Sequence, residues 1–261
     1  MIYFLSDAHL GSRVMEDPAG HQQKLVNLLM RMGEDAEAIY LLGDIFDYWY
    51  EYIWPSSRTS KRAMFGPVLD ALKALTTRGI AVHFFIGNHD IWTFGWLAQE
   101  TGVIVHKQPE TIELYGKRVF LGHGDGIAPR DIMRRVPKDF QKRIRRFMLL
   151  RAIFHCPLAQ YPYRLMPTRW ADEIGYEWAR RSRLKELAHP CSYKGEDKEE
   201  LVLFAKEQGS ICDYYIFGHR HIELQLMLAS GSQVIILGEF FQQWTYAAMS
   251  PNGEIELRFD D

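Results

Sequence analysis

Residues 38–50 read Ala-Ile-Tyr-Leu-Leu-Gly-Asp-Ile-Phe-Asp-Tyr-Trp-Tyr. Five apolar residues stop at Gly43 and hand over to Asp44 and Asp47. A short, unbroken apolar run closed by glycine predicts a strand buried on both faces, as in parallel sheets covered by helices. The phrase recurs. Residues 2–5 lead into Asp7-Ala8-His9, and 81–86 into Gly87-Asn88-His89-Asp90. Between these runs, 21–32 and 60–77 carry apolar residues at helical spacing, Leu25, Leu28, Leu29 and Met32 in the first and Met64, Val68, Leu72 and Leu75 in the second. Strand–helix–strand alternation predicts an α/β fold built from βαβ units.

Further along, 111–114 and 118–121 read as a hairpin turned at Tyr115-Gly116-Lys117, and 214–217, 234–237, 245–249 and 255–259 as strands, with Asn252-Gly253 a turn. Between these two sets the rhythm changes. Residues 132–154, 168–188 and 199–208 read as helices, the first two separated by Cys156-Pro157 and Tyr161-Pro162-Tyr163. The expectation is a core of 1–126 and 209–261, interrupted by a helical cap at 127–208.

The chain has 261 residues, 47% hydrophobic and 25% charged, which excludes disordered, collagen-like and coiled-coil classes. Three cysteines, none in a C-x-x-C pair, argue against a disulfide framework or a thiolate zinc site. No basic leader and no run of ~20 apolar residues is present, so a cytoplasmic protein is expected. The net charge of −2 conceals a segregation: residues 130–151 hold nine Arg and Lys against Asp131 and Asp139, leaving that segment at +7 and the remainder at −9. Such asymmetry points to an anionic partner.

Polar groups gather where strands end: Asp7 and His9; Asp44 and Asp47; Asn88, His89 and Asp90; His123 and Asp125; His219 and His221. In open α/β sheets ligands collect beyond the carboxyl ends of strands, so these five groups can converge. Carboxylates, imidazoles and one amide oxygen suit Mn, Fe, Zn or Ni. Alternation along extended chain would set Asp7 and His9 on one face, and likewise His219 and His221. Seven ligands exceed one tetrahedral metal but serve two ions ~3.5–4 Å apart that share a carboxylate. Each fragment alone is commonplace; a strand-end aspartate is usually a cap. His83, His106, His155 and His189 lie outside the pattern and read as structural or surface residues.

The ordered set D-x-H, G-D-x-x-D, G-N-H-D, G-H and G-H-x-H, from Asp7 to His221, resembles the calcineurin-like metallophosphoesterase superfamily. The resemblance implies a sandwich of two mixed β-sheets flanked by helices, with a helical cap insertion. It also implies two divalent cations, most simply Mn2+. Asp7, His9, Asp44 and His221 would hold one, and Asp44, Asn88, His123 and His219 the other. Asn88 and His89 would face the phosphate, with Asp90 orienting His89 and Asp47 fixing a loop. The closer likeness is to the UDP-2,3-diacylglucosamine pyrophosphatases of lipid A biosynthesis, through Asp7–Leu10, Gly43–Trp49, the Glu113–Val119 hairpin leading to His123-Gly124-Asp125, and the insertion itself. It implies release of UMP from a nucleotide-sugar lipid, with Asp131 and Lys194 as substrate contacts. His89 departs from that branch, which carries Arg there.

The basic segment adjoins Phe147–Leu150, Ile153 and Phe154, a pairing suited to the cytoplasmic face of an anionic inner membrane or to an acyl channel. Packing of the cap onto the core is the plainer account of these apolar residues. The rival readings are a phosphodiesterase, nuclease or phosphatase on the same centre, and a non-catalytic scaffold. A nuclease would need a basic path with stacking aromatics through the core, so nucleic acid is not expected. A scaffold would have lost ligands, and none is missing.

Overall fold

The computed structural model describes residues 1–127, 142, 145–146, 148–149, 152–154, 156–189 and 191–260. Asp131, His155 and most of the basic segment lie outside the described residues.

Two mixed sheets face each other. The first has the order β11(Ile255–Phe259), β10(Thr245–Met249), β1(Ile2–Leu5), β2(Ala38–Leu42), β3(Ala81–Phe85) and β4(Ile104–His106). Strands β1 to β4 run parallel, and β10 and β11 continue the sheet antiparallel. The second has the order β5(Glu110–Leu114), β6(Lys117–Gly122), β7(Tyr214–Phe217), β9(Gln233–Leu237) and β8(Glu223–Met227), with β6, β7 and β9 parallel.

Period-two alternation sorts side chains between layers. Ile2 and Phe4 of β1 join Tyr40, Leu42, Val119, Leu121, Ile216 and Ile235 between the sheets. Tyr3 and Leu5 face outward onto α1(Pro18–Met32) and α2(Pro55–Thr77), packing with Leu25, Leu29, Val68 and Leu72. The second sheet is covered by α6(Glu200–Gln208) through Leu201, Val202 and Ala205. Both outer layers and the middle one are filled, so the central parallel strands β1, β2, β7 and β9 are buried on both faces.

Helices α1 and α2 begin three and five residues earlier than hydrophobic periodicity alone indicates. Each has proline in its first turn, where the missing N–H costs nothing, and Asp17 caps α1 by accepting from Gly20 N at 2.9 Å. The hairpin turns on Tyr115 and Gly116, both at positive φ (46° and 75°), the backbone of a type I′ turn. The segment between the expected cap helices is itself helical, α4(Pro157–Arg164), because Pro157 occupies its first turn. Short α3(Trp96–Thr101), β4 and edge strand β8 complete the set.

Helix α5(Thr168–Ala188) lies against the aromatic segment that follows β2. A side-chain carbon at Gly175 would stand 2.1 Å from the Tyr48 ring, so only glycine permits this approach. Tyr163 bonds Tyr48 (3.1 Å), Tyr50 donates to Gln160 O (2.8 Å), and buried Lys61 sits among Tyr48, Trp49 and Tyr52, 3.9 Å from Asp172. Among the described residues, no helix is long and apolar enough to cross a membrane.

Candidate metal centre

The ends of β1, β2, β3, β6 and β7 meet at one edge of the sandwich, and the five sequence groups meet with them. Asp7, His9 and His221 offer donor atoms within 4.8 Å of one another, as do Asp7, Asp44 and His123, and His9, Asp44 and His89. Asp7, His9 and Asp44 each belong to two of these groups, so the cluster is continuous. Asn88 joins through Oδ1, 3.3 Å from His123 Nε2. The His219 ring stands 5.1 Å from that of His123, and its backbone N–H donates to Asp7 Oδ2 at 2.9 Å.

The convergence is not reached by extended alternation. Asp7, His9, Asp44, His219 and His221 all have left-handed φ, between 46° and 67°. Each strand ends in tight turns that fold its ligand back over the sheet edge. Backbone bonds lace those turns together: Asp7 N to Gly43 O (3.0 Å), His9 N to Asp44 O (3.0 Å) and Gly218 N to His123 O (3.0 Å). Glycine is required where they touch. A side-chain carbon at Gly87 would lie 2.1 Å from Asp44 Oδ1, and one at Gly218 2.5 Å from Asp7 Oδ2.

Other contacts aim the rings. His123 Nδ1 donates to Leu42 O at 2.8 Å, turning Nε2 toward Asp44, 3.3 Å away. His221 Nδ1 faces Glu186 Oε1 (2.6 Å) and Glu239 Oε2 (3.0 Å), turning Nε2 toward Asp7 (3.0 Å) and His9 Nε2 (3.3 Å). Carboxylates behind metal-type imidazoles fix ring and tautomer. Asp47 lies 3.3 Å from His9 Nδ1, within ion-pair distance.

Asp90 does not orient His89. Its carboxylate accepts from Gly87 N (2.7 Å) and Ile45 N (2.8 Å), tying the two ligand loops together. His89 instead donates Nδ1–H to Asp47 O at 2.7 Å, leaving Nε2 as an acceptor. Burial pushes His89 down to about 4, so it is neutral at pH 7 rather than cationic. The positive charge beside it comes from Arg183 of α5, 5% exposed, with Nη2 3.5 Å from His89 Nε2 and Nη1 2.6 Å from Glu186. Lys194 is exposed and pairs with Glu200 (3.8 Å), apart from the cluster. Asp131 lies outside the described residues.

Titration follows from crowding. Asp7 and Asp44 sit well below the usual carboxylate range: burial opposes their charge, but His221 beside Asp7 and His123 beside both outweigh it. His123 is correspondingly pushed up to about 10, Asp44 overcoming burial, and His221 is raised by Asp7. Burial and then the Asp44 charge push Asp90 up to about 7. Two imidazole nitrogens 3.3 Å apart satisfy each other only by sharing a proton. A cluster of oxygens and imidazoles that otherwise fills with protons is a donor set for divalent cations, and the residues fit a dinuclear centre.

Arg183, Glu186 and Glu239 escape the sequence reading. Glu239 was legible: it follows apolar β9 and Gly238, the same strand–glycine–acid phrase as Asp44. Nothing separates Arg183 and Glu186 from the other charged residues of α5.

The calcineurin-like phosphoesterase family model matches residues 1–223. A protein of Porphyromonas gingivalis named UDP-2,3-diacylglucosamine hydrolase is 35% identical, covering 94% of this chain and 92% of its own. Proteins of the same name from Aeromonas hydrophila and Aeromonas salmonicida are 30% and 28% identical, covering 97% of this chain and 96% and 91% of theirs. A crystal structure of a dimetal phosphatase from Danio rerio aligns over 100% of this chain and 96% of its own, at TM-score 0.49 and 14% identity.

Proposed function

The chain belongs to the calcineurin-like phosphoesterase family, a metal-dependent hydrolase, and from that premise we propose that it cleaves the pyrophosphate of UDP-2,3-diacylglucosamine to UMP and 2,3-diacylglucosamine 1-phosphate. The observation that carries this reading is the continuous buried cluster of Asp7, His9, Asp44, His123 and His221 beside an aromatic cavity of about 300 Å3. That cavity is lined by Tyr48, Tyr50, Trp92, Phe154, Ile174 and Trp178, and the Trp178 ring lies 5.1 Å from His89. An apolar chamber against a phosphate-directed centre suits a phosphorylated lipid, its acyl chains taking the aromatic side.

In this reading Asp7, His9, Asp44 and His221 hold one cation and Asp44, Asn88, His123 and His219 the other. We assign Mn2+, with Fe, Zn or Ni accepted by the same donors. When bound, the pair supplies positive charge to phosphoryl oxygens and acidifies a water. The chain's own groups do the rest. The Asn88 amide donates to a phosphoryl oxygen, and neutral His89, its Nδ1 proton committed to Asp47 O, presents Nε2 to the reacting face. Arg183 adds the guanidinium charge that a pyrophosphate anion demands. Because Arg183 and Glu186 come from α5, that helix of the expected cap and the core form one catalytic unit.

Exposed apolar side chains on α4 and α5, Leu158 (84%) and Trp170 (68%) among them, support peripheral seating on a membrane where such a lipid resides. The test is hydrolysis of UDP-2,3-diacylglucosamine with added Mn2+, followed by UMP release. Absence of UMP, with brisk hydrolysis of bis-p-nitrophenyl phosphate, would leave a phosphoesterase of other specificity.

A further inference from the structure

The cluster opens onto a second cleft, and it differs in chemistry from the aromatic one. A cavity of about 160 Å3 starts at His221 and is lined by Glu186, Glu239, Phe241, Gln242 and Gln243. A larger one, about 730 Å3, is lined by Asp17, His21, Lys24 and Trp244. Leu187, Phe241 and Gln242 belong to both walls, so the two form one cleft from His221 to Trp244. The aromatic cavity reaches the cluster at His89 instead. The His9 ring stands between, 5.0 Å from His89 and 5.2 Å from His221. A substrate whose reacting phosphorus sits over this cluster therefore has two unlike compartments for its two halves.

The second cleft is mixed in polarity and in sign. Gln242 and Gln243 are exposed, Lys24 stands beside Glu16 and Asp17, and two aromatic rings are fixed in the wall. Phe241 is buried with its ring edge-on to His9 at 6.1 Å, which joins the cleft to the cluster. Trp244 is half-buried and braced by His21 (5.1 Å) and Phe240 (5.3 Å), with the Lys24 ammonium 4.2 Å over its ring. Its φ of 58° is the one left-handed non-glycine value in the loop between β9 and β10, so the loop holds this indole in the cleft wall at a backbone cost.

Flat rings with an adjacent carboxamide form a recognition surface for a nucleobase. The rings stack it, and a glutamine, donor and acceptor at once, matches an edge where an N–H lies between carbonyls. We propose that this cleft seats the nucleoside half of the substrate, a pyrimidine ribonucleoside, with Phe241 and Trp244 stacking the base and Gln242 pairing with its edge. The assignment rests on the function proposed above and adds to it the place of the leaving nucleotide. The cleft wall is net negative, with Lys24 against Glu16 and Asp17, which suits an uncharged base and ribose better than an anionic polymer.

The test uses the full chain and UMP. Calorimetry on the parent, Gln242→Ala and Trp244→Leu is paired with kcat/KM on bis-p-nitrophenyl phosphate, which has no nucleoside. The expected result is a rise in UMP Kd of roughly ten-fold in each variant, from lost stacking or pairing, with the small ester hydrolysed as by the parent. Preference for UMP over AMP should also shrink in Gln242→Ala. Unchanged Kd in both variants, or a parent that does not bind UMP, would overturn the assignment. Release of UMP from UDP-2,3-diacylglucosamine by the parent is measured separately, so a misplaced nucleoside is distinguished from a wrong substrate.

Discussion

Replacing Gly87 with alanine tests whether backbone contact sets the metal centre. Gly87 has no left-handed φ, so alanine is compatible with its backbone and the whole effect is steric. The added carbon would lie 2.1 Å from Asp44 Oδ1, 2.5 Å from Asp44 N and 2.8 Å from Asp44 Cγ. Rotating the carboxylate away does not relieve this. Asp44 Oδ1 already accepts from His89 N at 2.8 Å, and the second clash is with backbone. Asp44 must therefore retreat by about 1 Å to reach ordinary contact, a displacement that costs on the order of 100-fold in rate at a reacting centre. Overpacking should cost about 1–3 kcal/mol of stability, leaving the fold intact. Gly66→Ala is the control: nothing lies within 4 Å of its added carbon, and the mid-helix site in α2 should gain about 0.5–1 kcal/mol with unchanged activity. Activity on bis-p-nitrophenyl phosphate at saturating Mn2+, metal content by mass spectrometry and circular dichroism give the answer. A Gly87→Ala protein within three-fold of parental kcat/KM and with full metal content would refute the reasoning.

Asp44→Asn, which removes the charge shared by two donor groups, should abolish turnover and lower metal content while preserving the circular dichroism spectrum. With His123 pushed up to about 10 by Asp44, the metal-free centre holds a proton there at pH 7.5. Mn2+ binding should release protons and tighten as pH rises, read by calorimetry in buffers of different ionisation enthalpy; buffer-independent heats would contradict this. Glu51, buried, accepts from Phe94 N, Trp96 N and Leu97 N at 2.6–2.9 Å, so Glu51→Ala should lower stability by about 3 kcal/mol in urea melts, and Glu51→Gln by less. Burial, and then the neighbouring His106, holds His83 down at about 4. Its folded value is depressed, so its share of stability is present above pH 6.5 and is lost as pH falls toward 4. His83→Phe, which keeps the stack on Tyr40 (4.4 Å), should flatten that part of the pH–stability curve.

Strands buried on both faces were the most legible part of the sequence, because β1, β2, β7, β10 and β11 announce themselves by unbroken or alternating apolar runs. The ligands were legible for the same reason: each follows such a run. Elements that escaped are those whose signal is not apolar periodicity. Helix α4 is masked by Pro157 and Pro162, β4 has three residues, and β8 alternates at an exposed edge. The role of Asp90 beside His89 was carried over from the family resemblance, and no local signal in the sequence contradicts it. In the fold, the three backbone donors Gly87 N, Ile45 N and Phe46 N surround its carboxylate first. Arg183 was invisible because nothing local marks one arginine of a charged helix as the one aimed inward.

Left-handed backbone at Asp7, His9, Asp44, His219 and His221 bears on why the motif carries glycine where it does. Each such residue costs on the order of 1 kcal/mol or more, and a fold keeps that strain only where its surroundings over-determine it. Here they do so through main-chain bonds between loops that touch, with Asp7 N on Gly43 O, His9 N on Asp44 O, and Phe240 N 3.2 Å from Asp7 O. Touching loops leave no room for a Cβ, which is why positions 43, 87 and 218 are glycine: side chains there would meet His123, Asp44 and Asp7 at 2.7 Å or less. The lacing joins the ends of both sheets, so the donors are gathered by the packing of the sandwich rather than drawn together by a cation. Chelation should then leave secondary structure and strand packing in place while the carboxylates recover their protonated imidazole partners. Metal content and fold should then be separable in this chain, and a loss of circular dichroism on chelation would show instead that the cations hold the sheet ends together.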